Sequence, residues 1–222
     1  MGETLEVRGL DVDAPDGAAL LRGVRLTLDP GEERSVVGRS GLGKSTLLRT
    51  LAGLHVAPGG AVRLGGRSFG DEGPARWRRR IAYAHQAVPL GPDSVGHTLA
   101  RPFAYASSRE RFVEARAREG LRALGLDDEA LWERDAGSLS VGEQQRVHVL
   151  RALLVAEDVA LLDEPDAALD VETVALLDSY LTERRRTGLS VLRISHRPAP
   201  EARTLDLEAF RAPGRSRPMD GA

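Results

Sequence analysis

The chain reads as an α/β protein organised around a phosphate-binding loop, and three observations support this. The run Gly38-Arg39-Ser40-Gly41-Leu42-Gly43-Lys44-Ser45 fits G-x-x-x-x-G-K-[ST] at every constrained position and lies between an apolar stretch and a helical one. A second apolar run, Val159-Ala160-Leu161-Leu162, ends in Asp163-Glu164-Pro165. A helical segment from about Val171 to Arg186 then leads into Leu189-Ser190-Val191-Leu192-Arg193-Ile194. Strand, helix and strand in that order predict a parallel βαβ unit.

Taken in order, Leu5, Val7, Leu10 and Val12, and then Val24, Leu26 and Leu28, alternate with polar residues. They predict two half-buried strands joined by the turn Pro15-Asp16-Gly17. Pro30-Gly31-Glu32 is the next turn, and Val36-Val37 ends a short strand that enters the phosphate loop. Thr46 to Ala52 forms a buried helix stopped by Gly53. Ala57-Pro58-Gly59-Gly60 and Gly65-Gly66 bracket a strand from Ala61 to Leu64, and Ile81-Ala82-Tyr83-Ala84 is another; both are expected in one mixed sheet. The basic run Trp77-Arg78-Arg79-Arg80 reads as a solvated face. From about Ser107 to Leu124 the chain turns rich in Glu, Arg and Ala with apolar residues at helical intervals, and a second helical piece follows around Glu129 to Trp132. This predicts a helical insertion. The last residues, Arg211 to Ala222, have little to bury and are expected to be a disordered tail.

Composition narrows the classes. The chain has 222 residues, enough for one sizeable core and too few for two full nucleotide-binding units. Its 31 basic and 33 acidic residues are mixed, giving a formal net charge of −2 and no bulk attraction to nucleic acid. With no cysteine, disulfides and thiolate metal sites are excluded. No apolar run approaches the roughly 20 residues that span a bilayer, and Met1-Gly2-Glu3-Thr4 does not read as a signal peptide. The expected location is cytoplasmic.

The loop predicts nucleoside triphosphate binding. Gly38, Gly41 and Gly43 let the backbone curl so that N–H groups, including that of Ser40, point inward at phosphates. The helix beginning near Lys44, Ser45 and Thr46 adds the positive end of its dipole. Lys44 should reach the β- and γ-phosphates, and Ser45 should hold Mg²⁺ through its hydroxyl. Asp163 and Glu164 stand where open α/β sheets put their ligands. Asp163 can bind Mg²⁺ directly or through water, while Glu164 can orient and polarise the attacking water. Read alone, Asp-Glu-Pro is also a common turn.

Between these signals lies Ser138-Leu139-Ser140-Val141-Gly142-Glu143-Gln144-Gln145-Arg146-Val147. Here the chain resembles the ATP-binding cassette (ABC) family, whose signature LSGGQ followed by QR is matched at Leu139, Ser140, Gly142, Gln145 and Arg146. The resemblance runs from about Leu5 to about Arg197. It includes Gln86 as the loop glutamine, Ala168-Leu169-Asp170 as the segment after the acidic pair, and His196 as the switch histidine. It implies a P-loop NTPase (RecA-like) core with a mixed N-terminal β subdomain and an inserted α-helical subdomain. The implied boundaries are a cassette over 1–202, with core 1–90 and 156–202 and helical insertion 91–155, followed by a partly disordered segment over 203–222. It further implies a homodimer packed head to tail, with ATP held between one copy's phosphate loop and Ser140 and Gly142 of the other. His196 would bond the γ-phosphate, and Gln86 would sense Mg²⁺ or the attacking water. For His55, His85, His97 and His148 the expectation is a satisfied structural role.

The chain departs from the family pattern at three positions. Val141 replaces a glycine and cannot comfortably take φ > 0. Glu143 replaces the usual glutamine and adds negative charge near a phosphate site. Ala14 stands where an aromatic stacks on adenine; a lost stack is worth about 1–3 kcal/mol, so weak discrimination among bases is expected. The resemblance also implies an ATPase subunit peripheral to the inner face of the membrane, driving a separate transmembrane permease that docks near Gln86, with no nucleic acid partner. Chain length, Glu143, the short insertion and the Val191-Leu192-Arg193-Ile194-Ser195-His196 ending most resemble bacterial iron-export subunits. The alternatives are a soluble ABC ATPase acting on nucleic acid or ribosomes, and a regulatory nucleotide-binding module with reduced turnover.

Overall fold

The structure, a computed structural model, describes residues 2–55, 61–86, 89–104, 111–195 and 202–213. β1 (Leu5–Asp13) and β2 (Ala19–Leu28) form a hairpin whose turn is closed by Gly17 N–H donating to Ala14 O at 2.8 Å. β3 (Glu33–Val37) leaves this pair and leads to α1 (Lys44–Leu51), which ends before Gly53. β4 (Val62–Leu64) and β5 (Arg67–Ser68) precede the short α2 (Phe69–Glu72), α3 (Pro74–Arg80) and β6 (Ile81–Ala84). A helical stretch follows: α4 (Val95–Ala100), α5 (Glu114–Ala123), a 3-10 turn at Glu129–Glu133 and α6 (Val141–Val155). β7 (Val159–Asp163), α7 (Val171–Arg186) and β8 (Ser190–Ile194) form the βαβ unit, and β9 (Arg203–Asp206) closes the described chain with a 3-10 turn at Leu207–Phe210.

The strands separate by direction. β2-β1-β4-β5 is wholly antiparallel, and β6-β7-β8-β3-β9 is wholly parallel. The single mixed sheet expected for Ala61–Leu64 and Ile81–Ala84 is therefore corrected to two sheets. β4 is close enough in sequence to pair back on Leu5–Val7, whereas β6 opens a crossover and pairs with Val159–Leu162.

Strand alternation assigns side chains to two cores. Ile81, Tyr83, Val159, Leu161, Leu192 and Ile194 face α1 and the antiparallel sheet, while Ala82, Ala84, Ala160, Leu162 and Val191 face the helical stretch. Both faces of the parallel sheet are thus covered, which holds its strand ends in fixed positions.

Three further expectations change. Trp77 and Arg80 are not on a solvated face. Trp77 is buried and donates from Nε1 to Leu51 O at 2.8 Å, and Arg80 is buried against Asp158 (2.7 Å), Glu72 (2.8 Å) and Glu3 (3.2 Å). The α3 helix turns Trp77 and Arg80, three residues apart, to the same inward face, so only part of the run meets water. The division after residue 202 cuts away β9, which pairs with β3 inside the parallel sheet. The disorder expected from Arg211 onward does not hold at Arg211 and Ala212: Arg211 bridges Leu21, and buried Ala212 donates its N–H to Leu20 O at 3.1 Å. The expectations for 57–60, 107–110 and 214–222 lie outside the described residues.

Candidate active site

Gly43 caps α1 with φ 105°, and no side chain caps the first turn, so its N–H groups are left to face the loop. Gly38 has φ 149°, and a Cβ there would sit 2.7 Å from the end of the Leu42 side chain, Cδ2. These two positions favour glycine on conformational grounds. Ser40 and Gly41 are exposed on the loop, and Thr46 follows on the first turn of α1. Lys44 Nζ donates to Gly38 O at 2.7 Å and Arg39 O at 3.0 Å, holding the ammonium across the loop. The C-terminal segment supports the same loop, because Arg39 Nε donates to Glu208 Oε1 at 2.8 Å.

Ser45 Oγ donates to Asp163 Oδ1 at 3.1 Å, across 118 positions of sequence. Tyr83 O–H donates to the other oxygen, Oδ2, at 2.9 Å, so both oxygens of this buried carboxylate are engaged. Burial pushes the Tyr83 phenol up to about 12, Arg49 opposing and the Asp163 charge adding to the rise. A deprotonated Tyr83 plays no part at neutral pH.

Glu164 has φ 50°, the only positive φ of a non-glycine among the described residues, and such a conformation costs about 1–3 kcal/mol. Its N–H donates to Ile194 O at 3.0 Å, and its carbonyl accepts from Gln145 Nε2 at 3.4 Å. The carboxylate Oε2 accepts from Gln86 Nε2 at 2.9 Å. The loop, Gln86, Asp163 and Glu164 thus gather at the C-terminal ends of β3, β6 and β7. Beside them Ser195 Oγ donates to Asp166 Oδ2 at 2.7 Å, with both residues buried. His196 lies outside the described residues.

Ser140 and Gly142 stand at the start of α6. Ser140 is the N-cap in a reciprocal capping box: its N–H and O–H both donate to Glu143 Oε2 at 2.8 Å, and its Oγ accepts from Glu143 N–H at 3.3 Å. The Ser140 bonds hold the Glu143 carboxyl below the usual range. Val141 occupies the first helical position and is 66% exposed, so the concern over φ > 0 does not arise there. Gly142 keeps α6 close to the segment after the acidic pair, since a Cβ would lie 3.3 Å from Ala168 O.

Sequence reading did not single out Tyr83 or the Gln145 contact, because nothing local marks either. The S-x-x-E spacing of Ser140 and Glu143 is a capping-box pattern and was legible.

A groove of about 310 Å³ lies between α1 and β6 on one side and α6 on the other, lined by Tyr83, His85, Arg78, His148 and Arg151. The His85 and His148 rings lie 4.6 Å apart, and His85 Nδ1 is 2.7 Å from Gln86 O. Burial, with the charges of Arg151 and His85, pushes His148 down to about 4. Its Nδ1 bonds to Arg151 at 3.0 Å while Nε2 makes no hydrogen bond, so this histidine is buried but not fully satisfied.

The donor set fits Mg²⁺ with ATP. No cluster of three His, Cys, Asp or Glu residues that could hold a metal occurs among the described residues. Ser45 and Asp163 offer a hydroxyl and a carboxylate oxygen side by side, as suits a hard cation that keeps water and phosphate ligands.

Comparison with known proteins agrees with this fold. The profile of the family described as ABC transporter matches residues 21–167. The chain is 36% identical over 211 residues to the macrolide export ATP-binding/permease protein MacB of Rhodopseudomonas palustris, covering 91% of this chain and 32% of that protein. It is 36% identical to a probable anion import ATP-binding protein of Haloferax volcanii, covering 86% and 71%, and 31% identical to the ribose import ATP-binding protein RbsA of Bacillus subtilis, covering 80% and 37%. It therefore spans about a third of the length of two of these three relatives. Among solved structures, a putative ABC transporter ATP-binding protein from Pyrococcus furiosus superposes with a TM-score of 0.78 at 20% identity, covering 94% of this chain and all of that one. A bacterial Atm1-family ABC exporter with ATP bound gives 0.78 at 23% identity, covering 93% and 37%; both likenesses bear on the fold alone.

Proposed function

The chain belongs to the ABC transporter family and has its ATPase fold, and from that premise we propose that it is the ATP-binding and ATP-hydrolysing subunit of a transporter, driving a separate membrane permease. The observation that carries the proposal is the assembled strand-end cluster, in which Ser45 bonds Asp163 and Gln86 bonds Glu164. In this reading Gly38, Ser40, Gly41, Gly43, Lys44, Ser45 and Thr46 cradle the phosphates. Ser45, Asp163 and Gln86 would hold Mg²⁺, which would supply neutralisation of the phosphate charge. Glu164 orients the attacking water and accepts its proton, while its strained backbone fixes the carboxylate. Gln86 positions that carboxylate, and His196 bonds the γ-phosphate. The C-terminal ends of β6 and β7 keep these groups in register before any ligand arrives.

Ser140 and Gly142 would close a site on a second copy. Exposed Val141 and Val171, at the starts of α6 and α7, support a face that is covered in a homodimer. The permease would dock in the groove beside Gln86. Arg78 and Arg151 give that groove a positive character suited to a carboxylate-bearing segment, and His85 contacts the Gln86 carbonyl directly. Among the described residues no helix is long and apolar enough to cross a membrane, which suits a subunit peripheral to the inner face of the membrane. Residues 91–155 act in this reading as the helical subdomain. For cargo, the resemblance to iron-export subunits favours a metal, whereas relatives are named for macrolide, ribose, methionine and anions.

ATP turnover of wild type beside Glu164→Gln tests the proposal. A fall of about 10²- to 10⁴-fold is expected for loss of a general base. Equal rates would remove Glu164 from the reaction, and a wild type that binds ATP without turnover would favour the regulatory module.

A further inference from the structure

We propose that Glu143 is a charge gate on the second half of the nucleotide site, occupying the Ser140 donors and weakening ATP-driven closure of two copies. The inference rests on the sandwich reading above. One carboxylate oxygen accepts both the N–H and the O–H of Ser140 at 2.8 Å, so the two groups that would meet a γ-phosphate are already committed. The carboxyl is held below its usual range by those same bonds, so it is charged wherever the protein is folded near neutral pH.

An incoming phosphate meets two opposed effects at this helix start. The α6 dipole, the Arg146 Nε bond to Gly142 O at 3.3 Å, and the field of Arg134 and Arg146 on Glu143 favour an anion. The Glu143 carboxylate, one hydrogen bond from Ser140 Oγ, repels it. Either the carboxylate leaves its cap as the copies close, or two negative groups share the Ser140 hydroxyl. Both routes cost free energy that a neutral side chain at position 143 does not incur. Glutamine is the informative replacement, because it suits the same position of a capping box and leaves helix initiation intact.

The test measures the dimer dissociation constant by analytical ultracentrifugation with MgATP, using Glu164→Gln to prevent turnover, and compares it with Glu164→Gln/Glu143→Gln and Glu164→Gln/Glu143→Asp. Removing the charge should tighten the dimer by about 10-fold or more, and the gain should shrink as salt rises. The aspartate variant keeps the charge and should behave as its parent. A parent that stays monomeric while the glutamine variant dimerises also supports the gate. Equal constants for parent and glutamine variant overturn the gate alone. If every variant binds ATP yet remains monomeric, the sandwich reading falls and the gate falls with it.

Discussion

The two ends of the proposed nucleotide site differ in how far they are built. At the strand ends, Ser45 and Tyr83 already bond Asp163 and Gln86 already bonds Glu164, and the sheet beneath them is buried on both faces. At the start of α6, Ser140 and Gly142 lie next to exposed Val141, and the Ser140 donors are turned onto Glu143 of the same helix. The difference teaches that one half is organised by long-range packing and the other by a local cap. Gln145 joins them, reaching from α6 to the carbonyl of Glu164.

Breaking the strand-end half should have the largest effects. Beyond the loss of turnover in Glu164→Gln, the scaffold under the loop depends on Glu33, which is buried between Arg193 at 3.4 Å and Arg185 at 3.2 Å. Arg193 is fully buried and also binds Asp178 at 2.6 Å. Glu33→Ala should lower unfolding stability in urea by about 3 kcal/mol, the cost of stranding a buried partner. The double change Glu33→Leu/Arg193→Met should recover most of that loss. No recovery would mean that the pair acts through packing rather than charge.

The joint between the halves should respond to acid. His148 on α6 packs on His85, next to Gln86, and its folded value is pushed down from 6.5 to about 4. Its neutral form is favoured by folding, so its contribution is complete above the unfolded value of 6.5 and is lost as pH falls from 6.5 toward 4. Linkage puts the full loss at about 3 kcal/mol. Denaturation curves across that window should flatten in His148→Gln; an unchanged slope would assign the acid sensitivity elsewhere.

The smallest effect concerns the base. Ala14 packs partly buried on the β1–β2 core and offers no ring for adenine. ATP and GTP should therefore bind within about tenfold of each other in calorimetric titration, a gap below about 1.4 kcal/mol. A larger preference for ATP would require another side chain to hold adenine.

Much of this arrangement was legible before any coordinates. The phosphate loop, the acidic pair after β7 and the helix over Val171–Arg186 depend on local spacing and periodicity, and the structure has these elements where the pattern predicts them. Less legible were the partners. Trp77 and Arg80 looked solvated because charge in a short run says nothing about which helix face packs. The roles of β9 and Ala212 were hidden because a short segment with weak patterning gains its structure from the edge it joins.

The amino-acid sequence by itself determined the phosphate-loop motif, the strand–helix–strand order that follows Val159, and the family, since these depend on residues a few positions apart. Tertiary structure alone decided that strands 4 and 6 enter different sheets, that Tyr83 and Ser45 share the Asp163 carboxylate, and that Glu164 is held at φ 50°. Those features join positions as far as 118 residues apart, and contacts at that separation are set by packing and hydrogen-bond satisfaction across the whole core, which local spacing does not encode.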